Sequence, residues 1–267
     1  MHAMIILFII VVLCPLLYMF KLSAQDIPSA YQGRLWPTEW TLEHYPYVIT
    51  QLPTVVQNLM NSIWVTVATV ILVSAISVLA GYALVHLPTP GKALVVAFLV
   101  GTLFFPSRLL SLIGIYQVQK FLGLQNETHG LVFPYVSVGL ALSVLIMRSV
   151  FEQISTEITE AARVDGANSW YTLWNIIFPL VKNGLVVVIM VNFVVVWGEY
   201  LIAVTLVDDM QKRTFPVVLA RAALGHAQWS WPRLSAMYIV AILPGIVGFM
   251  ISQRWYMKGL TEGAIKM

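Results

Sequence analysis

Glu160-Ala161-Ala162-Arg163-Val164-Asp165-Gly166-Ala167-Asn168-Ser169-Trp170-Tyr171-Thr172-Leu173-Trp174-Asn175-Ile176-Ile177-Phe178-Pro179 is the stretch on which the reading of this chain turns. It lies in a polar interruption between two long apolar runs. Glu152, Glu157, Glu160 and Asp165 fall in that interruption, four of the twelve carboxylates in the chain. Phe151, Ile154, Ile158, Ala161 and Ala162 recur at steps of three and four, one apolar face of a helix. Ser155 or Thr156 suits the N-cap, and Glu157 and Glu160 suit the positive amino end of that helix. Gly166 is placed to stop it, because glycine adopts the left-handed conformation at little cost. Asn168 or Ser169 caps a second helix. Trp170, Leu173, Trp174 and Ile177 follow along it at helical spacing, and Pro179 marks its exit. The expected unit is helix, glycine turn, helix, apolar on one face of each. Ala161 and Ala162 leave a low-relief surface onto which a soluble partner can close. A surface-lying amphipathic hairpin without a docking role fits the same pattern.

Outside this stretch charge is scarce. The chain of 267 residues is 59% hydrophobic and 10% charged, with a mean hydropathy of +0.83. Soluble domains carry about a quarter charged residues. A chain this poor in charge cannot cover a water-facing surface, so the bilayer must be its solvent. A spanning helix needs roughly 20 mostly apolar residues. Six stretches qualify, about 4–20, 58–85, 93–113, 129–147, 183–206 and 234–252. The expected fold class is an all-α integral membrane protein, one transmembrane domain over residues 1–267. The polar loop 149–182 separates its fourth and fifth helices, a long loop covers 21–57, and a tail covers 253–267.

Several function classes recede at this point. The net charge of +3 is spread along the chain and is not a nucleic-acid footprint. Cys14 is the single cysteine, which excludes an intrachain disulfide. His2, His44, His86, His129 and His226 are scattered without metal-ligand spacing, so no metal site is expected. There is no Gly-rich phosphate loop followed by Lys-Ser/Thr, so the chain does not bind ATP in the P-loop manner. The first apolar run lacks a basic segment ahead of it and exceeds the usual signal-peptide core of about 7–15 residues. A retained transmembrane helix is expected there.

Trp36, Trp40, Tyr45 and Tyr47 in the 21–57 loop suit interface anchoring or contact with an external partner. Ser74, Ala75, Ser77, Ala80 and Gly81 permit close helix approach in the second run. Pro88-Thr89-Pro90-Gly91-Lys92 is a tight turn between the second and third runs. Arg108 is expected at or snorkelling to an interface. The fifth run carries Asn192, Trp197, Glu199 and Tyr200. Glu199 is the one carboxylate in any expected span; it is either a functional group or a solvated residue near the membrane face. Asn192 and Glu199 are seven residues apart and share about one helix face. That face either lines a solute path or makes ordinary interhelical hydrogen bonds. Basic residues divide seven to eight between the two sides, so charge does not orient the chain.

Glu160-Ala161-Ala162, then Gly166, then Ile176 to Pro179, resembles the EAA loop of ABC-transporter permeases. The fuller string Glu160 to Ala167 is similar to that of the binding-protein-dependent carbohydrate importers, in particular their shorter, MalG-type inner-membrane subunit. The resemblance extends over nearly the whole chain. It includes Asn61-Ser62, Gly81-Tyr82-Ala83, Leu122-Gly123-Leu124-Gln125-Asn126, Trp197-Gly198-Glu199-Tyr200 and Gly259 to Lys266. Gly198 stands where the family has Asn, and Ser155 stands where it usually has proline.

The resemblance implies a multi-pass protein of the bacterial inner membrane. The 149–182 loop and the 253–267 tail then face the cytoplasm, and the 21–57 loop faces the periplasm or exterior. It implies four partners: a second homologous permease, a cytoplasmic ATPase dimer that binds the ATP and Mg, an extracytoplasmic solute-binding protein, and the lipid membrane. No cofactor is expected in this chain, and the chain is not expected to be an enzyme. Glu160 would make a polar or ionic contact at the ATPase, Ala161 and Ala162 would give close packing, Gly166 would make the turn, and Asp165 would belong to the same ATPase-coupling set. Gly263 and Lys266 in the tail would reach between ATPase subunits. Asn192, Trp197, Glu199 and Tyr200 are candidates for the solute path. The implied solute is a neutral sugar or glycoside. A glycerol phosphate or another small polar solute is the alternative, though the spans hold few basic residues for a phosphate. An ion-coupled carrier is a further rival, but it calls for paired intramembrane charges and inverted repeats.

Overall fold

The structure is a computed structural model and describes residues 2–34, 36–51, 54–104, 108–225 and 229–264. Among these residues the chain is helical, and an isolated antiparallel bridge joins Gln25 to Trp40. Five helical stretches are long and apolar enough to cross a membrane. They are Met4–Ser23 within α1 (His2–Ser23), α4 (Val55–His86), Thr128–Glu152, Ser169–Trp197 and Trp231–Met250. Between α1 and α4 lie α2 (Ile27–Tyr31) and α3 (His44–Gln51). The expected third span, 93–113, is covered by two shorter helices, α5 (Lys92–Leu103) and α6 (Arg108–Phe121), with residues 105–107 outside the description.

The chain forms two compact units, Met1–Ser62 with Val207–Val247, and Ile63–Leu206 with Gly248–Met267. In the first, Val48, Val55, Phe215, Val218, Ala222, Ala236 and Met237 make the core. The amides of Asn58 and Asn61 each donate to two carbonyls in the 210–213 segment, at 2.6–3.0 Å. Ser62 Oγ accepts from the Phe215 N–H at 2.8 Å. A loop has no ladder of its own for these backbone groups, and a buried carbonyl or N–H must find a partner. The opening turns of α4 supply it.

In the second unit, the third long stretch, at the place of the expected fourth span, runs as α7 (Val132–Glu152) from a 3₁₀ turn at Thr128–Leu131. Its core is Val73, Val78, Tyr82, Met147, Phe151, Leu173, Ile177, Val181 and Val188. Gly81 lets α4 meet the α7 backbone: a Cβ there would lie 2.9 Å from Met147 Cβ and 3.1 Å from Arg148 N. Lipid tails are as apolar as the side chains, so such close backbone approach, rather than hydrophobic drive, holds helices together in the bilayer. Asn126, at φ +57°, donates its backbone N–H to Leu206 O at 2.9 Å and ties the Leu-Gly-Leu-x-Asn element to the rest of the unit.

The last helix, α13, runs from Trp231 to Ala264, well past the expected end of the sixth span at 252. Gly263 falls within its final residues. Lys266 lies outside the described residues.

Candidate functional site

The polar interruption folds as a hairpin, with one difference from the expected helix. Phe151 belongs to the end of α7, and a short turn at 153–155 precedes α8 (Thr156–Val164). Ser155 Oγ accepts from the Glu157 N–H at 3.2 Å and so starts a new helix. The single apolar face read from Phe151 to Ala162 is therefore divided. Phe151 is fully buried and Ile154 packs on the core, whereas Ile158 and Ala161 are exposed.

Gly166 closes α8 at φ +83°. Its N–H reaches Arg163 O, and the Ala167 N–H reaches Ala162 O at 2.9 Å, which satisfies the last carbonyls of the helix. Asn168 Oδ1 then accepts from the Tyr171 N–H at 2.8 Å and opens α9 (Ser169–Tyr171). The two alanines divide their roles. Ala162 is buried against its own chain; Ala161 is exposed, as are Glu157, Glu160, Asp165 and the apolar Val164.

Pro179 does not end the second helix. Helical structure continues from Ser169 to Trp197 through a π turn at Thr172–Ile177 into α10 (Phe178–Trp197). A proline inside an α-helix crowds the carbonyl one turn back and lacks an N–H of its own. The wider π turn immediately before it, in which the Phe178 N–H bonds Leu173 O, accommodates both. Leu173 and Ile177, in this turn, are fully buried. The second arm of the hairpin and α10 are thus one continuous rod.

At its far end the rod stops at Trp197, short of the expected boundary at 206, and a separate helix α11 (Leu201–Leu206) follows. Glu199 sets this break. Its carboxylate accepts from the N–H groups of Ile202, at 2.9 Å, and Ala203, at 3.2 Å, which have no intrahelical partner at the start of α11. It also accepts from Tyr135 Oη at 2.8 Å. Glu199 is 8% exposed.

Asn192 is also buried. Its amide donates to Ser143 Oγ at 2.7 Å and to Val188 O at 2.8 Å, and its Oδ1 sits against Gly139. Both polar residues of the fifth span therefore turn toward α7, in the geometry of interhelical hydrogen bonding. Trp197 stacks on Phe193 with centroids 5.8 Å apart and planes 10° from parallel. Tyr200 is exposed.

Tyr135, Gly139 and Ser143 did not stand out in the sequence. Their spacing of four, a small or polar stripe down an otherwise apolar span, was the available signal. A crevice of about 670 Å³ opens beside α7, lined by Thr102, Ser111, Ser137, Phe98, Gly101 and Ile115; the hydroxyls of Thr102 and Ser137 donate to Leu99 O and Pro134 O, each at 2.7 Å. Among the described residues no group of His, Cys, Asp and Glu is arranged to hold a metal ion.

Residues 3–262 match the family described as binding-protein-dependent transport system inner membrane component. The chain belongs to this family. It is 31% identical over 264 residues to the trehalose/maltose transport system permease protein MalG of Thermococcus litoralis, with 98% of this chain and 94% of that protein covered. It is 30% identical over 257 residues to the trehalose transport system permease protein SugB of Mycobacterium tuberculosis, with 95% and 92% covered. A crystal structure of a bacterial ABC transporter involved in the import of the acidic polysaccharide alginate superposes with a TM-score of 0.84. At 24% identity, over 96% of this chain and 94% of that one, it shows the fold. The membership expected from the Glu160–Ala167 string thus holds. As an inner-membrane component of binding-protein-dependent transport, this is a multi-pass permease subunit.

Proposed function

We propose that the chain is the permease subunit of an ATP-driven importer for a neutral sugar or glycoside. It forms half of the translocation path and converts motion of a separate ATPase dimer into alternating access. One observation carries this reading. The helix-turn-helix exposes Ala161, Val164, Glu157, Glu160 and Asp165, and its second arm continues through the π turn into the helix that bears Asn192 and ends at Trp197, just before Glu199. A helix is stiff along its axis, so displacement of the docked hairpin is delivered to the far side of the membrane with little loss.

The pathway reading assigns two kinds of residue. Asn192 and Glu199 hold the wall by locking the rod and α11 to α7. Tyr200 and Trp197 are the aromatic candidates for a sugar path, and the crevice bordered by Thr102, Ser111 and Ser137 is the candidate polar surface beside α7. A neutral solute is supported by the names of the two relatives, which specify trehalose or maltose. The partners are a second permease, the ATPase dimer holding ATP and Mg, and an extracytoplasmic binding protein; Lys266 and Gly263 in the tail would meet the ATPase.

The test is reconstitution of the tagged chain with the ATPase, permease and binding protein that copurify with it from gentle detergent. ATPase activity stimulated by a neutral disaccharide and its binding protein supports the reading. Recovery of the chain alone, stable and monodisperse, overturns it.

A further inference from the structure

A second crevice, of about 460 Å³, lies in the second unit and is used by neither the hairpin nor the solute reading. Val85 from the last turn of α4, Val96 and Ala97 from α5, and Lys92, Arg148 and Glu152 line it. The three charged residues all stand at helix ends: Lys92 opens α5, and Arg148 and Glu152 close α7. Val96 and Ala97 lie a turn further along α5. The crevice is an apolar slot with a charged rim. Arg148 is paired with Glu152 at 2.7 Å, so Lys92 leaves the rim net positive. Next to the slot, α5 has no buried residue, and its Leu94, Val95 and Phe98 are exposed. In a membrane protein such a face meets hydrocarbon or another subunit.

We propose that this crevice binds an anionic phospholipid, with the headgroup phosphate at Lys92 and an acyl chain along Val96 and Ala97. A positive rim above an apolar slot complements an amphiphile of opposite charge, and basic pockets between transmembrane helices recognise anionic headgroups. A free anion would use the rim and leave the slot without purpose. The slot also opens beside the exposed apolar side of α5, along which an acyl chain can lie. A bound lipid would bridge α5 to α7 just ahead of the Ser155 cap, at the root of the hairpin.

Native mass spectrometry of the full chain, purified in detergent and offered phosphatidylglycerol or phosphatidylethanolamine, tests this. The wild type should retain phosphatidylglycerol in preference. Lys92→Glu should lower that retention by about fivefold or more, the scale of one basic group at an anionic surface, with phosphatidylethanolamine unchanged. Val96→Trp fills the slot and leaves the rim intact; it should also release phosphatidylglycerol. Thermal unfolding of each variant reads whether it folds. Equal retention of the two lipids by the wild type overturns the proposal, as does full retention of phosphatidylglycerol by both folded variants. Displacement of the lipid by millimolar inorganic phosphate would reduce the site to a simple anion site and overturn it too.

Discussion

Asn192 fills the space that any side chain at position 139 would need: a Cβ on Gly139 would run into Asn192 Oδ1. The two residues, on α10 and α7, therefore specify each other. Gly139→Ala should destabilise the folded chain by about 1–3 kcal/mol, the usual cost of overpacking. Asn192→Ala removes the obstruction together with one interhelical hydrogen bond, for which about 0.6–2 kcal/mol is typical. The double variant should therefore be more stable than the sum of the two single effects allows. Thermal unfolding in detergent, as a double-mutant cycle, reads this; strict additivity would mean that the two residues are not in contact.

Gly166 is a backbone requirement with no steric one. Its φ is +83°, and a Cβ there would meet nothing within 4 Å. Gly166→Asn should be tolerated, because asparagine visits this conformation. Gly166→Val should distort the turn at a cost of at least about 1–2 kcal/mol and uncouple ATPase activity from solute in the assembled transporter. Intact solute-stimulated ATPase in Gly166→Val would refute the role of the turn.

Glu199 satisfies the Tyr135 hydroxyl and two backbone N–H groups from a buried position. Glu199→Gln keeps an acceptor and should be mild. Glu199→Ala leaves those donors unpaired, and each buried orphan costs about 1–3 kcal/mol. The expected order of unfolding temperature is wild type, then Gln, then Ala. If Ala matched Gln, the carboxylate would not be holding α11.

Asp26, in the loop after α1, accepts from the Ser29 hydroxyl and from the backbone N–H groups of Ser29 and Glu39. The Ser29 hydroxyl is the largest of the influences that hold its carboxyl at about 2, below the ordinary 3.8. The folded value lies below the unfolded one. The stabilisation is therefore fully present above pH 3.8 and is lost as pH falls from there through about 2. Ser29→Ala should raise the Asp26 titration midpoint toward the ordinary value, seen by NMR of carboxyl-labelled protein. An unmoved midpoint would assign the shift to the backbone donors instead.

The amides of Asn58 and Asn61 are the clamp on the 210–213 carbonyls. Asn61→Ala should speed hydrogen exchange or proteolysis in 207–215 while leaving the spans protected. Equal protection in the variant would show that the segment is held by other contacts.

The hairpin shows how far local pattern reaches. Ser155, Gly166 and Asn168 act within a few residues of themselves, through a cap, a positive φ and a second cap. Such short-range backbone chemistry is written in residue type and spacing. The fate of Pro179 is not, because a proline may end a helix or sit behind a π turn. Burial of Leu173 and Ile177 against Tyr82, Met147 and Phe151 of the core decides for the second. The same holds for Ala161 and Ala162, adjacent and alike in sequence, one exposed and the other covered.

The sequence by itself determined that the chain is helical and lives in a bilayer, since 10% charged residues cannot cover a surface in water. It also determined the hairpin's place and its family. Only the tertiary structure decided that Glu199 ends one helix and starts another, and that Asn192 is spent on Gly139 and Ser143. Those outcomes depend on which residues of α7 arrive opposite them, 49 to 64 positions away in the chain. In hydrocarbon a polar group must take whatever partner the packing brings.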